Sequence, residues 1–161
     1  MIITELYIPG RPVTKGSLTR QGNRLVDTPQ SKAWRRVMAG AIRDDLRRRH
    51  PRAAAGAPYV GPVVVLAAWF LPVPVTRHAA GDLDKLLRNH LDALSAPGPR
   101  TEDTSLCAGA IVDDNLVQHV DSWKFFDTET PGVAVRVSAL SQAEIDAAEA
   151  GAHGWRAQLT A

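Results

Sequence analysis

Residues 62–72 read PVVVLAAWFLP, nine apolar residues closed at each end by proline. The run is too short to span a bilayer. It is β-branched at its start, so Val63–Leu71 reads as a buried strand. Downstream, Pro72, Pro74 and the Ala79, Ala80, Gly81 stretch mark a loop. Asp82 and Asp84 then open a helix whose Leu83, Leu87, Leu91 and Leu94 share one face, with Leu86 beside them. Upstream, Thr28 suits a helix cap and Pro29 the first helical position. Trp34, Val37, Met38, Ala41 and Leu46 recur at helical spacing to about Arg49, and Pro51 marks the stop.

The flanks extend the pattern. Ile2 to Ile8 is a β-prone run ended by Pro9 and Gly10, and residues 11–26 lack periodicity and read as a loop. Residues 95–105 hold Pro97, Gly98 and Pro99, another loop. Leu106 to Val112 reads as a short strand, and Val117 to Phe126 as a further one. Val133, Val135 and Val137 alternate with Ala134, Arg136 and Ser138, a half-buried strand. Ser141 and Glu144 form a capping-box pattern before an Ala-rich helix. From Gly151 onward a loosely held tail is expected, with Trp155 its only large anchor. The order β, α, β, α, β, β, β, α predicts a single α/β domain, a small mixed sheet packed against helices. Strand order does not follow from it.

Composition narrows the function classes. A chain of 161 residues, 45% apolar and 22% charged, suits one domain that buries roughly two-thirds of its unfolded surface. The lone cysteine, Cys107, excludes an intramolecular disulfide and a Cys-rich zinc site, and its apolar surroundings read as packing. No GxGxxG or Walker-type glycine loop supports a nucleotide cofactor, and no GxSxG marks a serine nucleophile. The five histidines show no metal-ligand spacing and read as surface or satisfied side chains. No secretory n-region opens the chain, so a cytoplasmic protein without a membrane segment is expected.

The charge is uneven. Residues 1–52 carry twelve Lys/Arg and four Asp/Glu, a net of +8, while residues 53–161 carry seven and thirteen, a net of −6. A polyanion partner plus a carboxylate-built metal site would produce this pattern, and so would charges scattered over a solvated surface. On the first helix Lys32, Arg36, Arg43 and Arg47 fall within about 60° of one another. They form either an outer solvated face or a phosphate-tracking stripe. Lys15, Arg20 and Arg24 sit in a loop with little core to serve, which suits contact with a nucleic-acid backbone.

The carboxylates are the informative feature. Asp82 and Asp84 stand where a loop feeds a helix, and Asp92, Asp113 and Asp114 follow. Divalent cations such as Mg²⁺ take hard oxygen ligands, commonly one or two carboxylates with phosphate and water. A plainer reading is also open: Asp82 caps the helix, Asp84 favours its dipole, and Asp84, Arg88 and Asp92 form a surface ladder. Asp113, Asp114 and Asn115 likewise suit a turn. Lys124, ten residues on, is either a phosphate neighbour or an exposed strand lysine.

The stretch GDLDKLLRNHLDAL at 81–94, then VDDNLV at 112–117 and Lys124, resembles the RusA family of Holliday junction resolvases. The opening PGRPVTKG at 9–16 is similar to that family's first strand and basic loop. The likeness runs from about residue 3 to 138. It implies a nuclease domain over 1–140, followed by a helix and tail over 141–161. It further implies a Mg²⁺- or Mn²⁺-dependent homodimer that resolves four-way DNA junctions by paired symmetric nicks. Asp82, Asp84 and Asp114 would be metal ligands with Asp113 beside them, and Arg88 and Lys124 would add charge at the phosphate. Lys15, Arg20, Arg24, Lys32, Arg36 and Lys85 would contact DNA. Two departures stand out: Lys85 occupies the position where the family often has Asn, and Arg88 the position of its Lys. Arginine holds phosphate but does not readily give up a proton. Residues 95–105 also form a longer connection than the family's usual one. The rival readings are a metal nuclease for other branched DNA, a catalytically silent branched-DNA-binding protein, and a structural domain whose acids cap helices.

Overall fold

The computed structural model describes residues 1–15, 19–21, 24–51, 57–73, 81–99, 101–127 and 129–159, with backbone alone at 19–21, 24–26 and 153–159. The chain forms β1 (Ile2–Pro9), β2 (Thr19–Gln21), β3 (Arg24–Val26), α1 (Pro29–Arg49), β4 (Val63–Leu71), α2 (Leu83–Leu94), β5 (Val117–Phe126), β6 (Gly132–Ala139) and α3 (Gln142–Leu159). It is a mixed α/β fold with one four-stranded sheet in the order β1-β6-β4-β5. β4 is central, antiparallel to β6 and parallel to β5. Parallel neighbours need a crossover, and α2 lies in the one between β4 and β5.

Along β4 every second side chain is buried: Val63, Val65, Ala67, Trp69 and Leu71. These residues join Ile8, Val133, Val135 and Val137 to make the core under α1 and α2. The opposite sheet face carries Tyr7, Phe70, Trp123 and Phe125, with Phe70 stacked on Phe125 at 5.5 Å.

The expected helix signals act as read. Thr28 accepts a bond from Ser31 N–H at 3.2 Å, and Pro29 begins α1. Glu144 bonds back to Ser141 N–H at 2.7 Å and closes the capping box of α3. Other readings are corrected. Residues 19–26 hold a short antiparallel β2–β3 ladder rather than a featureless loop. Leu106 to Val112 is no strand: a 3₁₀ turn covers Thr104–Leu106, and Ile111 makes only isolated bridges to Tyr59 and Ser95. α3 runs on through Gly151 to Leu159, since a glycine costs a helix only about 1 kcal/mol. The side chain of Trp155 lies outside the described residues.

Both main helices bury faces rotated from the expected ones. Val37 is 49% exposed, and α1 packs through Trp34, Met38, Ala39 and Ile42 together with Ser31, Arg35 and Asp45. α2 buries Leu86, Asn89, His90, Ala93 and Leu94, leaving Leu83, Leu87 and Leu91 partly covered. The rotation arises because polar side chains with partners, or none, share the buried stripe. His90 is fully buried edge-on to Trp69, ring centres 5.8 Å apart, and neither ring nitrogen has a hydrogen-bond partner among the described residues. It is thus neither a surface nor a satisfied histidine.

Asp45 pins α1 to β1. Its Oδ2 accepts from Thr4 Oγ1 at 2.8 Å, Glu5 N–H at 3.0 Å and Arg49 Nε at 2.8 Å. Burial opposes its charge, but these donors outweigh burial and hold its carboxyl below the usual range. Asp45→Ala is expected to cost about 2–3 kcal/mol in urea unfolding, because it strands buried donors. A loss under about 1 kcal/mol would show that the pin contributes little.

No helix among the described residues is long and apolar enough to cross a membrane.

Candidate active site

The path into α2 turns at Gly81, whose φ is +67°, and a Cβ there would fall 2.8 Å from Thr14 Cγ2. Glycine relieves both the left-handed backbone and the close approach. Asp82 follows with the extended backbone of an N-cap, yet its side chain makes no capping bond. Its carboxylate instead meets Lys85 Nζ at 2.7 Å and stays 62% exposed. The bond to Lys85, with Lys124 further away, holds the Asp82 carboxyl below the usual range. Lys124 reaches over from β5, where Nζ donates to Gly81 O at 3.0 Å. Asp84 is 65% exposed and faces Arg88 at 3.9 Å, the helical ladder spacing.

A second acidic group lies toward the other half of α2. Asp92 Oδ2 takes Lys15 Nζ at 2.6 Å and Arg35 Nη2 at 3.1 Å. Asp113 caps the 3₁₀ turn Asp114–Leu116 by accepting from Asn115 N–H at 3.0 Å. The turn reading therefore belongs to Asp113. Partial desolvation, then the Asp113 and Asp92 carboxylates, push the Asp114 pKa up, although its side chain stays open to solvent.

The basic residues divide. Lys15 is held at α2 by its backbone N–H to Lys85 O at 3.0 Å as well as by Asp92. Lys85 is paired with Asp82. Lys32 is half-buried on the first turn of α1. Arg36, expected to reach DNA, is engaged within the protein, Nη2 on Asp103 Oδ2 at 2.7 Å. Arg43 donates to Cys107 O at 2.6 Å and Arg47 pairs with Asp44 at 2.9 Å. The stripe on α1 thus docks residues 103–107 along much of its length. Burial raises the Cys107 thiol pKa, in keeping with packing. The side chains of Arg20 and Arg24 lie outside the described residues; their backbones are in β2 and β3.

Sequence reasoning passed over Arg35 and Asn89. Arg35 is buried, with Nε on Asn89 Oδ1 at 2.9 Å and Nη2 on Asp27 Oδ2 at 2.7 Å. The available signal was its place beside Trp34 and three residues before Met38, on the apolar face, where a charge demands partners.

The donor chemistry suits a hard divalent cation: exposed aspartates, and at Asp114 a carboxylate crowded by two others. The arrangement is more open than a closed ligand set. Among the described residues no three His, Cys, Asp or Glu side chains converge closely enough to hold an ion. Asp84 and Asp92 are two helical turns apart, about 12 Å at the α-helical rise. No protein-family model and no curated protein matches the chain.

Proposed function

We propose that the protein is a Mg²⁺-dependent endonuclease of the RusA type, acting on four-way DNA junctions as a homodimer. One observation carries this reading. The segments bearing the resemblance, scattered from Thr14 to Lys124, meet along α2: Thr14 at Gly81, Lys15 at Lys85 and Asp92, Lys124 at Gly81, and Asp114 within the field of Asp92. A surface in which aspartates alternate with lysines within a few ångströms suits a phosphodiester: cations attract it, and carboxylates serve a metal or a proton.

In this reading Asp82, Asp84 and Asp114 are the residues that would hold Mg²⁺ or Mn²⁺, with Asp113 alongside, and binding one ion between them would require the two acidic groups along α2 to draw together. Such a cation supplies Lewis acidity at the phosphate and lowers the pKa of a bound water. Lys124 and Lys85 add charge beside Asp82, and Arg88 adds charge beside Asp84. Lys15 and the basic residues of 19–26 meet the DNA backbone, so affinity falls as salt rises. Paired nicks need two sites, hence two copies of the chain. The sheet face on which Trp123 is 61% exposed beside Phe70 and Phe125 offers an apolar surface to a second copy.

The test is a labelled synthetic four-way junction incubated with the protein in Mg²⁺ or in EDTA, beside flap and duplex controls. Symmetric paired nicks that need the cation are expected. Cleavage of flaps in preference to junctions would shift the substrate to other branched DNA. The separation of Asp82 and Asp84 from Asp92 favours a second reading, a catalytically silent branched-DNA-binding protein. That reading predicts retention of the junction on a gel with no product in either Mg²⁺ or Mn²⁺.

A further inference from the structure

The β2–β3 ladder, which carries Arg20 and Arg24, lies in the chain between Lys15 and Asp27. Both roots converge on one buried guanidinium. Arg35 Nη2 binds Asp27 Oδ2 at 2.7 Å, which fixes the returning root. The same side chain binds Asn89 through Nε at 2.9 Å, and Asn89 Nδ2 donates to Val13 O at 3.0 Å on the departing root. Arg35 also meets Asp92 at 3.1 Å, and Asp92 holds Lys15 at 2.6 Å. Three bonded partners thus join residues 27, 89 and 92 through one planar fork. All the α2 partners lie on the helix that begins with Asp82 and Asp84.

We propose that Arg35 is a positioning residue that clamps both roots of the β2–β3 hairpin to α2, setting where the hairpin's arginines meet a DNA backbone relative to the α2 carboxylates. The clamp itself is independent of ligand; its consequence for DNA rests on the function proposed above. A buried arginine with this many partners is costly to desolvate and is matched here by two aspartates and an amide. The apolar alternative would fill the same space without joining the two roots. Lysine cannot replace it, because an ammonium lacks the fork that spans separate acceptors.

Limited trypsin digestion, with fragments identified by mass, tests the clamp without DNA. In Arg35→Gln, cutting after Arg20 and Arg24 is expected to accelerate at least tenfold, while cutting after Arg136 in β6 stays within about twofold. Arg35→Lys should resemble Arg35→Gln. Asp27→Asn, which releases only the returning root, should give an intermediate acceleration and guards against a fold too weakened to interpret. Unchanged cutting at Arg20 and Arg24 in these variants would overturn the proposal. Equal acceleration at all sites, Arg136 included, would also overturn it, because that marks a general loss of stability.

The DNA arm uses a fluorescent four-way junction at low salt. The Arg35→Gln Kd is expected to rise about tenfold with its single-turnover cleavage rate at saturating junction within threefold of wild type. An equal Kd for variant and wild type would overturn the positioning role even if the hairpin is clamped. If the wild type itself fails to bind the junction, the proposed function falls, while the protease result still decides the clamp.

Discussion

Asp82→Asn is expected to lower junction cleavage in Mg²⁺ by about 10²–10³-fold, the scale on which removal of a transition-state-stabilising group is felt. Junction affinity should stay within about threefold, and strengthen if it moves, because under the proposed function a negative charge leaves the surface that would meet phosphate. The substitution is a clean one. Asp82 makes no capping bond, so among the described residues Asn removes only an exposed pair with Lys85. Asp114→Asn should behave alike, and its loss of charge also relieves the crowding by Asp113 and Asp92. Asp113→Asn is expected to do less, since Asn still accepts the bond from Asn115 N–H. Asp121→Asn, exposed on β5, is the control and should leave cleavage unchanged. The measurement is quenched cleavage of a labelled junction, with binding followed in Ca²⁺. Retention of more than a tenth of wild-type activity in both Asp82→Asn and Asp114→Asn would remove the carboxylate-held cation from the reading.

The second large effect concerns stability against pH. His90 is fully buried, with no hydrogen-bond partner among the described residues, and burial takes its pKa down to about 4 from 6.5. In the folded protein it stays neutral, while in the unfolded chain it gains a proton below about 6.5. Stability attached to this group is therefore complete above the unfolded value. It is lost as pH falls from 6.5 toward 4, at up to about 1.4 kcal/mol per pH unit and about 3 kcal/mol over the window. Asp45, whose carboxyl is held below its ordinary value, gives way only at lower pH, so the two losses separate. In His90→Phe the pH 6.5–4 slope should largely vanish. At neutral pH that variant is expected to match or exceed wild type, since two unsatisfied nitrogens are removed from an apolar site beside Trp69. Urea midpoints at half-unit pH steps check this. An undiminished slope in His90→Phe would show that the loss of stability arises elsewhere.

Much of the fold was legible because its signals are local. Thr28 with Pro29 and the Ser141–Glu144 box act within one helical turn, and both helices begin where those residues stand. Pro62 and Pro72 bracket β4, and two-residue alternation marks β6, because a strand's inside and outside are written in neighbouring residues. The failures have a different range. Leu106 to Val112 has a strand's composition, yet Ile111 finds only single bridges, to Tyr59 and Ser95, which lie outside the sheet. Val37 looked buried and Arg35 did not, because hydropathy ranks a side chain alone while Asp27, Asn89 and Asp92 make that arginine's burial affordable.

The candidate site shows the same division. The identity of the aspartates, the glycine before them and the paired Asp113 and Asp114 are properties of the chain. Their grouping is a property of the fold: Asp82 with Lys85 and Lys124 in one set, Asp114 with Asp113 and Asp92 in the other. Local sequence settles that Asp82, Asp84 and Asp92 belong to α2 and its cap and that Asp113 and Asp114 stand in a turn. The order β1-β6-β4-β5 and the crossover through α2 settle which acids and cations meet, because contacts between residues as distant as Lys15 and Asp92 depend on packing that no short stretch of chain encodes.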